Sequence, residues 1–129
     1  MLKQQMRASA YHLKPAEIKK LVIASANFRN RCVIKALYWL GLRRHEVAGL
    51  DVRDIDFDRK RVNIRHGKGG KTRVVPIIDD EFIGDLKHLI GARKEGYVFL
   101  SNESKPLSLR AINYIVEHTG SRAGVARPP

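Results

Sequence analysis

Three stretches of the sequence put basic side chains where phosphate chemistry could use them: "GLRRHEVAGL" at 41–50, "RHGKGGKTRVV" at 65–75 and "PLSLRAI" at 106–112. An arginine offers a planar fork of N–H donors that matches two phosphate oxygens, and a lysine offers a mobile ammonium. The middle stretch ends in Gly70, Lys71 and Thr72, as a nucleotide-binding P-loop does. That loop needs Gly-x-x-x-x-Gly-Lys-Ser/Thr between a strand and a helix. Here the first glycine position falls on Arg65, and Gly67 leaves too short a loop to wrap phosphates. Taken singly, each stretch also has a plain explanation: Arg43 and Arg44 as solvated helix residues, Lys68 as a water-exposed turn residue. Arg110 fits that explanation less well. It stands near a helix start, where the backbone dipole favours anions, so its position points to a phosphate or base edge nearby.

The elements that must position these residues change period along the chain. Pro15 suits a first helical turn, and Ile18, Leu21 and Val22 then share a face. A second helix over about 30–40 carries Val33, Ile34, Leu37 and Leu40, with Gly41 ending it. A short third helix over about 43–49 turns Val47 and Leu50 inward. Alternation follows, and it predicts three short strands: Val52, Ile55 and Phe57; Val62 and Ile64; Val74, Val75 and Ile77. Gly67, Gly69 and Gly70 fall between the last two strands, as a tight hairpin requires. A strand after the glycines, rather than a helix, argues against the P-loop. Asp79 or Asp80 caps a helix carrying Phe82, Ile83, Leu86, Leu89 and Ile90; "YVFL" at 97–100 reads as a buried strand; Ser108 caps a last helix with Ile112, Ile115 and Val116. The expected fold is α+β, a mostly helical single domain with a small three-stranded antiparallel sheet. Residues 1–13 read as a basic leader and 14–129 as the domain.

The bulk numbers agree with a polyanionic partner. With 129 residues and 43% hydrophobic content the chain can bury one core, and a net charge of +12 points to nucleic acid. Cys32 is the sole cysteine, so an intrachain disulfide is excluded, and no Cys/His set has zinc spacing. No apolar run reaches the roughly 18 residues of a membrane span, and a reducing, cytoplasmic setting is expected.

In combination the stretches resemble one family. "YWLGLRRHEVAGLDVRDIDF" is similar to the first motif block of the tyrosine recombinases, the family of phage integrases and Xer proteins, in which an apolar helix leads to Gly-Leu-Arg-x-x-Glu and a short Asp-Ile-Asp strand. "VNIRHGKGGKTRVVPI" resembles that family's following hairpin, and "YVFLS…PLSLRAINYIVEHTGSRAGV" the segment before its second block. The resemblance implies roles. Arg43 matches the arginine that binds a non-bridging oxygen of the scissile phosphodiester. Glu46 matches an acidic position that supports this part of the fold. Lys68 matches the hairpin lysine that protonates the leaving 5′-oxygen. Lys71 and Arg73 become backbone-phosphate contacts, and Arg110 a DNA contact of the last helix. The partner implied is double-stranded DNA, with no metal or other cofactor.

The same resemblance implies parts that these residues do not show. A His-x-x-Arg block is expected in the family, yet His12, His45, His66, His88 and His118 all lack an arginine three residues on. Tyr11, Tyr38, Tyr97 and Tyr114 each sit where structure, rather than nucleophilic attack, accounts for them. The chain therefore reads as the first part of a catalytic domain, expected to bind DNA without cleaving it. It would leave an apolar surface open to self-association. A non-catalytic DNA-binding module on the same scaffold is the competing expectation. An RNA-binding domain is disfavoured by the 7% aromatic content.

Overall fold

The computed structural model describes residues 13–65 and 72–125. Helix α1 (Pro15–Ala24) starts on Pro15, and Glu17 reaches back to accept the Lys14 backbone N–H at 2.8 Å. Helix α2 (Phe28–Tyr38) is capped by Asn27, whose side chain accepts the Asn30 backbone N–H at 2.8 Å. Because this cap precedes the apolar stripe, the helix begins and ends about two residues earlier than the spacing of Val33, Ile34 and Leu37 predicts. Trp39 closes it, and Gly41 then adopts a left-handed φ of 69°, which turns the chain into α3 (Arg44–Ala48).

The sheet is three-stranded and antiparallel, in the order β1 (Ile55–Asp56), β2 (Arg61–Arg65), β3 (Thr72–Pro76). Its register pairs Val62 with Val75, Ile64 with Arg73 and Arg65 with Thr72. Val62 and Ile64 point into the core while Asn63 does not, the alternation a half-buried strand requires. The expected turn at Gly67, Gly69 and Gly70 lies outside the described residues. Two expected strand segments come out differently. Val52 belongs to a 3₁₀ turn (Val52–Asp54), because the Asp51 side chain accepts the Arg53 backbone N–H and starts a helical turn. Residues 97–100 form isolated bridges, Asp51 to Tyr97 and Leu100 to Pro106, not a strand. Val98 donates to the Leu50 carbonyl and Leu107 to that of Phe99, so partners alternate from side to side and no ladder propagates. The expected burial holds all the same: Val98 and Phe99 are in the core.

Asp79 caps α4 (Asp80–Ile90) and Ser108 caps α5 (Leu109–Ala123), each through its side-chain oxygen. Helix α2 lies at the centre, packed against α1, α3, α4 and α5. Cys32, Val33 and Ile34 are fully buried there, in one core with Phe82, Leu86 and Ile112. Lys35 is the one charge in this layer, 2% exposed. Its ammonium lies 2.7 Å from Asp85 and 4.9 Å above the Trp39 ring, so the charge is both paired and faced by π density. These helices hold the start of α3 and the start of α5 on one side of the molecule, since α3 also packs on α5.

Candidate nucleic-acid interface

Arg43 occupies the residue before α3, in an extended conformation that leads its backbone N–H back toward the helix. Glu46, three residues on, accepts that N–H at 2.9 Å with one oxygen and a terminal nitrogen of the Arg43 guanidinium at 3.2 Å with the other. The same carboxylate receives Arg73 from β3, with one terminal nitrogen on each oxygen at 2.5 and 3.0 Å. Glu46 therefore stands at the junction of α3 and the sheet, its side chain only 3% exposed. Burial pushes its pKa up, but the hydrogen bonds and charges of Arg73 and Arg43 outweigh that push and hold it below the ordinary glutamate value. An ionised carboxylate between two arginines is the outcome, and Arg43 keeps 37% of its side chain exposed.

Arg44, a solvated residue by sequence, instead donates to the Asn113 side chain on α5 at 2.8 Å. That bond ties the first turn of α3 to α5 one turn beyond Arg110, which is exposed. Further along the exposed face, the Tyr114 and His118 rings stack with centroids 5.3 Å apart and planes 9° from parallel. Their i, i+4 spacing was the available signal for this pair. Arg65, at the end of β2, pairs with the buried carboxylate of Asp54 at 2.7 Å. Nothing in the sequence spacing marks that contact. Asp54 repeats the arrangement of Glu46: one oxygen accepts the Asp51 backbone N–H and the other faces a sheet arginine.

The expected residues thus divide. Arg43, Glu46 and Arg73 come together around one carboxylate, and Arg110 stands on the neighbouring helix. Lys68 and Lys71 lie outside the described residues. Arg73, expected at DNA phosphates, has both terminal nitrogens on Glu46. Of the tyrosines, Tyr38 ends α2 with burial pushing its hydroxyl pKa up, Tyr97 bridges Asp51, and Tyr114 stacks on His118; Tyr11 lies outside the described residues. A cleft of about 610 Å³ opens beside Glu46, between α3 and the 3₁₀ turn. Of the carboxylates that line it, Asp51 and Asp54 pair with Arg53 and Arg65. Among the described residues no group of three His, Cys, Asp or Glu side chains could hold a metal ion, and no helix is long and apolar enough to cross a membrane.

The Phage integrase family matches residues 12–129. Tyrosine recombinase XerA of Pyrococcus horikoshii is 30% identical over 118 residues, covering 88% of this chain and 41% of its own length. The crystal structure of XerA recombinase superposes with a TM-score of 0.77 at 26% identity, over 91% of this chain and 44% of that one. Lambda integrase bound to DNA gives a TM-score of 0.70 at 18% identity, over 90% of this chain and 44% of that one, a likeness of fold. The chain spans about two fifths of the length of the curated relatives it matches.

Proposed function

The chain belongs to the phage integrase family, and from that premise we propose that it carries the phosphate-gripping part of a tyrosine recombinase site, used in site-specific recombination of double-stranded DNA. The observation that carries this is the Arg43 guanidinium, oriented by Glu46 yet open to solvent. In a chain of net charge +12 such a fork is suited to a DNA phosphate.

The roles are those that the resemblance to the tyrosine recombinases implies. Arg43 binds a non-bridging oxygen of the scissile phosphodiester and stabilises the extra negative charge as phosphorus becomes five-coordinate. As the attacking tyrosine oxygen bonds to phosphorus, the bond to the 5′-oxygen breaks, and Lys68 gives that oxygen its proton. Lys71 and Arg110 hold the duplex, and Glu46 keeps Arg43 in place. A cytoplasmic setting is part of the same proposal.

The resemblance gives none of the described tyrosines the nucleophile's place: Tyr38 is half-buried at the end of α2 with a raised pKa, Tyr97 lies in a backbone bridge to Asp51, and Tyr114 stacks on His118. The proposal is therefore that this chain binds duplex DNA without cleaving it. Self-association through exposed side chains such as Ile78 and Ile23 is part of the same proposal, checked by sedimentation. The decisive experiment incubates the chain with duplex DNA for binding and with nicked suicide substrates for a covalent adduct. Binding that weakens with salt and gives no adduct is expected. Failure to bind, or an adduct, would overturn the proposal.

A further inference from the structure

The carboxylate of Glu46 is shared unequally. Arg73 takes both oxygens with its two terminal nitrogens, at 2.5 and 3.0 Å, whereas the Arg43 guanidinium reaches one oxygen through one nitrogen at 3.2 Å, the other oxygen accepting from Arg43 only its backbone N–H. A carboxylate buried to 3% side-chain exposure demands charged partners, and Arg43 is the other guanidinium within reach. Were Arg73 absent, the second oxygen would draw the fork of Arg43 onto itself, since paired N–H bonds to a carboxylate are the strongest available there. The arginine would then be spent on the protein.

We propose that Arg73 is a positioning residue for Arg43: by saturating Glu46 from β3, it leaves Arg43 tied through a single nitrogen, with the rest of its fork open to a phosphate oxygen. The inference rests on the proposed role of Arg43 and replaces the phosphate contact that the position of Arg73 in the hairpin suggested. Arg65 supplies the comparison. It pairs with the equally buried Asp54 from the neighbouring strand at 2.7 Å, yet Arg43 is no part of that cluster. Loss of Arg65 disturbs the sheet without touching the balance at Glu46.

The test is side-chain nitrogen NMR of Arg43 in the full chain, free of DNA, with Arg73→Gln, Arg73→Lys and Arg65→Gln. In Arg73→Gln the rotation of the Arg43 guanidinium slows roughly tenfold, as a second charge-assisted bond forms. Arg73→Lys gives an intermediate rate, and serves alone if the glutamine variant does not fold. Arg65→Gln leaves the Arg43 signal unchanged. Affinity for a duplex oligonucleotide falls in Arg73→Gln and falls less in Arg73→Lys. An Arg43 signal that is unchanged or faster in both Arg73 variants overturns the inference. If the wild-type chain binds no duplex, the proposed function fails, while the NMR comparison still decides what Arg73 does to Arg43.

Discussion

Arg73 places both terminal guanidinium nitrogens on the carboxylate of Glu46, a residue 27 positions earlier in the chain. That contact joins the edge strand of the sheet to the helix that begins at Arg43, so the strength of the junction and its dependence on acid are measurable.

Replacing Glu46 by glutamine leaves two guanidiniums without their carboxylate. Both arginines are about one-third exposed and water compensates in part, so the expected cost is about 2 kcal/mol, below the value for a wholly buried pair. Urea denaturation at neutral pH measures it.

The same carboxylate shapes the acid limb. The folded-state pKa of Glu46 lies below its ordinary value of 4.5. Its contribution to stability is therefore complete above about that pH and is lost as the pH falls through the lower folded-state value. Glu46→Gln should flatten the loss of stability between pH 5 and pH 3, roughly the window in which glutamates titrate. Parallel acid-unfolding curves for the two proteins would contradict this.

Cys32 is fully buried in α2, and burial together with the nearby Asp85 carboxylate pushes its thiol pKa up to about 12. At pH 8 the folded protein should react with iodoacetamide at least about a hundredfold more slowly than the urea-unfolded chain, because only the thiolate attacks.

Phe82 is wholly buried and meets the Trp39 ring edge-on at 6.2 Å. Phe82→Ala should cost about 3–5 kcal/mol through lost burial and the cavity left, and should quench or shift Trp39 fluorescence in whatever fraction stays folded.

Ser108 caps α5 by accepting the Ala111 backbone N–H at 3.1 Å, just ahead of Arg110. Ser108→Ala should cost about 1 kcal/mol. On the proposed function, Arg110→Ala should lower duplex affinity and reduce the slope of its salt dependence by about one. Unchanged affinity would remove Arg110 from the interface.

Much of this molecule is local and hence legible in the sequence. The apolar spacing of Phe82, Ile83, Leu86 and Ile90, the caps Asp79 and Ser108, and the alternation around Val62 and Ile64 each depend on neighbours within a few residues. The Gly-Leu-Arg-x-x-Glu pattern at 41–46 belongs to the same class, since Glu46 reaches Arg43 across one helical turn. Two local signals misled for an equally physical reason: Val52 and "YVFL" have strand-like side chains, but Asp51 starts a helical turn and the partners of residues 97–100 change sides before a ladder can form. What required the tertiary structure is the choice of partners far apart in sequence. Arg73 on Glu46, Arg44 on Asn113 and Arg65 on Asp54 are set by where β3, α5 and β2 meet the α3 region, and an arginine in the sequence carries no mark of which carboxylate or amide it will find. Side-chain type and period determine which face of an element is buried; only the packing of those faces decides which charges are brought within hydrogen-bond reach.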